Sequence, residues 1–562
     1  MAQLVLPFPY EQVPSGCDHG PECSLRSFLP IPLLEACDEH PYLAEYLHSV
    51  PMGEIGVPDY YPKLARRLSG LERRNLIYPI QNDLFVHIYP TTQSERDCYI
   101  GIEPQLTVNL DSIMPEVESR LLEWIEEIGG AETDEEKREA LLKALDAVLT
   151  TNGRRGSKKI QVTSQELEAI KYLVLRDKVG FGVLQPLLLD PYIEDISCSG
   201  TGYVFIEHKI FKSLQSTISF STHEELDEFA ISLGEVIKRP VTARNPIVDA
   251  TLPDGSRINI VYGTEVAKRG SNFTIRKFSE TPISVAQLIE FGTMDYLIAA
   301  YLSLILEEQL NVFIVGATAS GKTTTLNALT TFIPPDAKIV SIEDTPELQV
   351  PHKNWIREVT RGTGQKEIGG TVDMFDLLKA SLRQRPDSII IGEIRGKEGA
   401  IAFQAMQTGH AVMSTFHSAS MQQVIQRLTG DPINIPKTYL DNLDVVIVQA
   451  TVRTLTKAMV RRIVSINELV GYDPPSQTFS FIEVFRWLAD KDAFEFPGYM
   501  NSFILEEKIA PKRGIPDFKK KAIYTELKRR ARIFERLHKE RKVSGFYEFF
   551  QVLAEAHRQH LL

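Results

Sequence analysis

The stretch "NVFIVGATASGKTTTLNAL", residues 311–329, decides how the rest of the chain is read. Val312 to Val315 form a short apolar run of the kind that makes a buried strand. The next eight residues, Gly316-Ala317-Thr318-Ala319-Ser320-Gly321-Lys322-Thr323, match G-x4-G-K-[ST] and open a helical pattern that continues through Thr324. The glycines let the backbone curl so that its N–H groups face phosphate oxygens. Lys322 is then placed to reach the β- and γ-phosphates and the Thr323 hydroxyl to ligate magnesium. The helix start adds its own positive end to the same anion site.

Downstream, short apolar runs alternate with helical segments. "AKIVSI", "SIII" and "AVMSTF" read as strands, with helices beginning near Asp373 and Lys397. That alternation predicts a parallel sheet covered by helices, over residues 291–474. Three clusters leave the ends of those strands. "IVSIEDTPEL" supplies Glu343, Asp344 and Glu347; "SIIIGEIRG" delivers Glu393 where a metal-binding Asp is usual; "QTGHAVMSTFHSAS" carries His410 and His417. Singly, an acidic turn reads equally well as solvated surface, and a lone histidine as a hydrogen-bonded structural residue. Together they fall at the carboxyl edge of one parallel sheet, which is where such folds bind ligands.

The flanks are less specific. Residues 1–110 begin Pro-rich and irregular and become strand-like around "NLIYPIQNDLFVHIYP"; residues 111–178 turn helical, with "TTNGRRGSKK" (150–159) as a linker or exposed loop. Residues 179–290 read as a smaller α+β domain, and 475–562 as a helical, basic extension. The 562 residues carry 62 Lys and Arg against 74 Asp and Glu, a net charge of −12 that argues against a general nucleic-acid coating. The apolar run at 296–310 contains tyrosines, ends in acidic residues and is too short to span a bilayer. With no basic leader at the start, the expectation is a cytoplasmic protein. Cys17, His19, Cys23 and Cys37 lie close in sequence, but without the usual C-x2-C spacing; zinc binding and ordinary reduced thiols both remain open.

Four motifs in order resemble those of the ATPases that assemble type II secretion systems, type IV pili and the archaeal flagellum. "GATASGKTT" is similar to their Walker A, "SIEDTPEL" to their Asp box, "SIIIGEIR" to their atypical Walker B and "TGHAVMSTFHS" to their His box. The wording of "RDKVGFGVLQPLLLDPYIEDISCSG" resembles the archaeal branch. The resemblance implies a RecA-like ATPase domain using ATP and Mg2+, with Glu393 as the metal-side acid beside Thr323. It implies Glu347, or failing it Glu343, as the base that orients water, and His417 as a γ-phosphate sensor. Arg257 in "LPDGSRI" and Arg276 in "NFTIRKF" would approach ATP across a domain or subunit boundary, and Arg357 and Arg361 are further candidates. It also implies a homohexamer at the inner face of the cell membrane, working on a polytopic platform protein and through it on prepilins, with no specific nucleic-acid partner. The rival readings are a P-loop nucleic-acid motor and a nucleotide-gated scaffold. In the tail, Ile523, Leu527, Phe534 and Leu537 share one helical face with Lys and Arg elsewhere; either the basic side is simply solvated, or the helix docks on anionic lipid or the platform protein.

Overall fold

The computed structural model describes residues 3–9, 23–91, 95–131, 133–151, 159–278, 281–361, 371–454 and 459–559. The chain divides into two units, residues 1–279 and 280–562. The boundaries expected at 110, 178 and 474 are therefore internal to units, and the one expected at 290 falls at 279.

The first unit is built on an eleven-stranded sheet. Strands Leu76–Pro79, Phe85–Tyr89 and Cys98–Ile102 come from the segment expected to stand apart. They join the later strands through a parallel pairing of Cys98 and Tyr99 with Gln215 and Ser216. Buried polar contacts reinforce that junction. The Asp190 carboxylate accepts from Tyr78 (2.6 Å) and Tyr99 (3.0 Å), and Arg176 of the helical segment pairs with Glu103 at 2.8 Å, both side chains almost fully buried. A buried ion pair of this kind is costly to break from one side, about 3–5 kcal/mol, so it ties the helices to the sheet. The 150–159 loop lies mostly outside the described residues, as do Cys17 and His19. Among the described residues no group of His, Cys, Asp and Glu is placed to hold a metal.

The second unit holds a nine-stranded sheet. In spatial order its strands are Trp355–Val359, Ile339–Glu343, Ser388–Ile391, Ala411–Phe416, Val312–Val315, Val445–Arg453, Met459–Asp473, Thr478–Leu488 and Ala493–Glu495. The first six neighbours are parallel and the last three join antiparallel. Alternate residues of the central strands feed two separate cores: Val312 and Ile314 point into one, Phe313 and Val315 into the other. Burial on both faces explains why these strands read as continuous apolar runs. The 296–310 run is helix Tyr296–Glu307, capped by Asp295 and buried from Ile298 to Leu306; no described helix is long and apolar enough to cross a membrane.

The C-terminal extension is helical from Ile504 on, but its first part is strand, Thr478–Leu488 and Ala493–Glu495, continuing the sheet. Helix Ile523–Lys539 buries Ile523, Leu527 and Phe534 against Tyr296–Glu307, with Phe534 stacked on Phe332 at 5.5 Å. Its apolar face is therefore core, and insertion of that face into lipid is excluded.

Candidate nucleotide site

The loop after Val315 turns on two glycines and one strained alanine. A Cβ on Gly316 would stand 2.2 Å from the Gln449 carbonyl oxygen, so nothing larger fits. Gly321 has φ +92° and Ala319 φ +61°, the left-handed region that costs a non-glycine residue about 1 kcal/mol or more. The strain is braced from the antiparallel side of the sheet, where Arg461 Nε donates to the Ala319 carbonyl at 3.2 Å and packs on Gly321. Helix Lys322–Leu329 starts directly after Gly321. Ala317, Thr318 and Ala319 are exposed, Gly316, Ser320 and Lys322 buried, and Thr323 and Thr324 half-buried. Lys322 Nζ donates to the carbonyls of Gly316 (3.0 Å) and Ala317 (2.9 Å), and burial lowers its pKa from the ordinary lysine value.

The next strand in the sheet, Ala411–Phe416, ends at His417, and the one beyond, Ser388–Ile391, runs into Glu393. His417 joins the two motifs: its Nδ1 lies 3.3 Å from Lys322 Nζ and its Nε2 2.9 Å from Glu393 Oε1. An ammonium can only donate, so Nδ1 must accept and the proton sits on Nε2. The imidazole is thus neutral, in keeping with a pKa lowered chiefly by burial and opposed by Glu393. Arg427 donates to the His417 carbonyl and lies 4.9 Å over the Phe416 ring, fixing the strand end. Arg395 holds the other Glu393 oxygen at 2.8 Å and reaches Asp344 at 3.7 Å. Glu393 Oε1 is buried, and among the described residues no donor is aligned on it, since the His417 contact is close but poorly directed. A buried anionic oxygen without a donor suits a hard divalent cation.

The Asp-box strand Ile339–Glu343 lies beside Ser388–Ile391. Glu343 is 2% exposed. Its Oε1 accepts from the backbone N–H of Glu347 (2.7 Å) and Leu348 (2.8 Å), and its Oε2 faces Arg357 Nε at 3.3 Å. Burial raises its pKa against those bonds. Glu347 is half-buried on the turn that Glu343 anchors, and its carbonyl accepts from Asn327 of the P-loop helix at 3.3 Å. Arg357 stacks on Trp355 and serves Glu343, while Arg361 sits in a bridge with Val372. A Cβ on Gly392 would rest in ordinary contact with Glu343 Cγ at 3.4 Å, so the two strand ends pack closely.

The model of the family described as Type II/IV secretion system protein matches residues 177–547. The chain belongs to that family. An uncharacterized protein of the archaeon Methanocaldococcus jannaschii is 43% identical over 534 residues, covering 93% of this chain and 96% of the relative. Protein VirB11 of Agrobacterium fabrum is 29% identical over 276 residues, 44% of this chain and 79% of VirB11. Among solved structures, the VirB11 ATPase of the Brucella suis type IV secretion system, in complex with sulphate, is 24% identical, covering 52% of this chain and 93% of that one, with a TM-score of 0.26.

The segment matched by the secretion family includes Arg257 and Arg276, which belong to the first unit. They are direct cross-strand partners on the solvent face of the sheet. Arg276 is 64% exposed and 3.4 Å from Asp195, and Arg257 is half-buried. Motif reading misses Gln449, Arg461, Arg395 and Arg427 in this secretion-family chain. The first two brace the P-loop from a hairpin more than 120 residues away, and no local pattern marks them. Arg395 stands two residues from Glu393 and is the one with a signal.

Proposed function

We propose that the protein is an ATP hydrolase that drives secretion or the assembly of a type IV pilus-like or archaellum filament, as a hexamer acting on a membrane platform protein. The observation that carries hydrolysis is the convergence of Lys322, His417 and Glu393 from three adjacent strand ends. Membership of the secretion family supports the setting.

In this reading the P-loop amides and Lys322 bind the β- and γ-phosphates, Lys322 leaving its carbonyl contacts to do so. Magnesium, held by Thr323 and Glu393, would supply positive charge to the same oxygens. Glu347 takes a proton from a water that attacks the γ-phosphorus as the bond to the β–γ bridging oxygen breaks, and ADP leaves with the negative charge that Lys322 neutralises. Glu347 fits this role better than Glu343, whose two oxygens already hold a turn and an arginine. His417 registers the outcome: when Lys322 moves to phosphate, Nδ1 loses its donor, and the Glu393 contact shifts with it. Lys322→Ala tests the assignment. We expect ATP turnover to fall at least about 100-fold while the folded state is retained; near wild-type turnover would reject the site.

A further inference from the structure

The tail helix presents a second, independent surface. With Ile523, Tyr524, Leu527, Arg530 and Phe534 turned into the core, its exposed residues include Lys528, Arg532, Arg536 and Lys539, and Lys521 is exposed in the turn just before it. Their spacings of three, four and seven form one stripe along a helix of 17 residues, about 25 Å long. Residues 519–542 carry 11 Lys or Arg against three Asp or Glu, in a chain whose net charge is −12. Several of these cations have carboxylate partners, Arg536 with Glu540 and Lys539 with Glu535 among them. Lys519, Lys521 and Arg532 pair with no carboxylate among the described residues.

At the head of the stripe stands Phe518, 83% exposed, in the short Asp517–Ala522 turn of helix. Its ring carries Lys519 at 5.5 Å on one side, and Lys520 and Lys521 come next in the chain. An exposed aromatic set among lysines on a straight basic face matches an anionic bilayer, where the ring enters the interface and the ammonium groups meet headgroups. A polyanionic groove binder would instead interleave aromatics along the stripe, and the outward positions of this helix hold none.

We propose that this face, from Phe518 along Lys521, Lys528 and Arg532, binds anionic phospholipid bilayers electrostatically, with Phe518 as its single interfacial anchor. The helix stays folded on the core throughout, so binding requires no unfolding of the unit. The proposal is independent of ATP hydrolysis. Full-length protein is sedimented with vesicles of phosphatidylcholine alone and with phosphatidylglycerol added at roughly one part in three. Binding is expected only to the anionic vesicles and is lost at high salt, because the charges are solvent-exposed. Each basic residue near such a surface is worth about fivefold in partitioning, so K519E/K521E/R532E should lower it at least about 100-fold. Phe518→Ala, with charge unchanged, should lower it roughly three- to tenfold. All four positions are exposed, so thermal unfolding and vesicle-free ATPase activity should match wild type in both variants. Equal binding to neutral vesicles, or undiminished binding of the triple variant, overturns the proposal. Tighter binding to a double-stranded DNA fragment than to anionic vesicles, lost in the same triple variant, would overturn it in favour of a nucleic-acid surface.

Discussion

Glu343 and Glu347 stand four residues apart in one acidic turn, and only the structure separates their work. Glu343 is an internal anchor, Glu347 the more accessible group it positions. Glu347→Gln should lower single-turnover hydrolysis about 10²–10⁴-fold, the range for loss of a general base, with the denaturation midpoint unchanged. Glu343→Gln should instead cost about 1–3 kcal/mol in chemical denaturation, because the amide nitrogen would face backbone donors and Arg357 would lose its counter-charge. The reverse pairing of effects would exchange the roles. His417 makes a prediction about pH. Its folded pKa lies below the ordinary 6.5, so its neutral form is retained above pH 6.5, and its contribution to stability and to the Lys322 contact is lost as pH falls through the lowered value. Because kcat/KM reports the free enzyme, it should therefore decline on the acid side of pH 6.5, and His417→Asn should remove that inflection from the kcat/KM profile. At this scale the phosphate loop, Glu393 and His417 are legible in the sequence because each residue type has a chemical reason at the end of a buried strand. The role of Glu343 is not, since two backbone hydrogen bonds leave no trace in composition.

Among elements, the tail helix joins the core of the 280–562 unit to its own C-terminus. Phe534 lies between Phe332, just beyond the P-loop helix, and Phe549 of the last helix. Arg530, 1% exposed, pairs with Glu307 at 2.6 Å, and Glu307 also takes Arg513 at 2.8 Å. Phe534→Ala should cost about 3–5 kcal/mol, the range for deleting a fully buried ring. A thermal transition shifted by less than about a degree or two would show that the tail is not part of the unit's cooperative core. The helix and its apolar face are legible in the sequence but its partner is not, because an amphipathic face looks alike whether it meets a core or a membrane. Strand Thr478–Leu488 does carry a period-two signal in "TFSFIEVFRWL", masked by the basic, helical character of residues 504–558. The strands of residues 76–102 are legible as strands, but their place beside residues 212–220 is not. A pairing across more than a hundred residues is set by packing, which local pattern does not encode.

For the whole molecule, the question is whether the two arginines of the first unit act on the nucleotide as we propose. Lys322, Glu393 and His417 belong to the 280–562 unit, Arg257 and Arg276 to the 1–279 unit. The two arginines sit opposite each other on adjacent strands, on the solvent face of their sheet, so one face presents both. Asp195 offers Arg276 a partner only at 3.4 Å and on an exposed side chain, which is worth little. An arginine delivered to developing charge can raise hydrolysis about 10³–10⁵-fold. In the hexamer we propose, delivery from a neighbouring subunit would couple hydrolysis to relative movement of the units. Specific activity should then rise with protein concentration until the rings are complete. Mixing two inactive variants, Lys322→Ala and Arg257→Ala, discriminates the routes. If Arg257 acts between subunits, mixed rings contain some sites with both residues intact, and activity returns in part, to a fraction set by the mixing ratio. If verified mixed hexamers stay inactive, Arg257 serves its own subunit's site or none. Repeating the mixture with Arg276→Ala separates the members of the cross-strand pair, since an arginine that only tunes its neighbour's charge lowers the recovered activity without abolishing it.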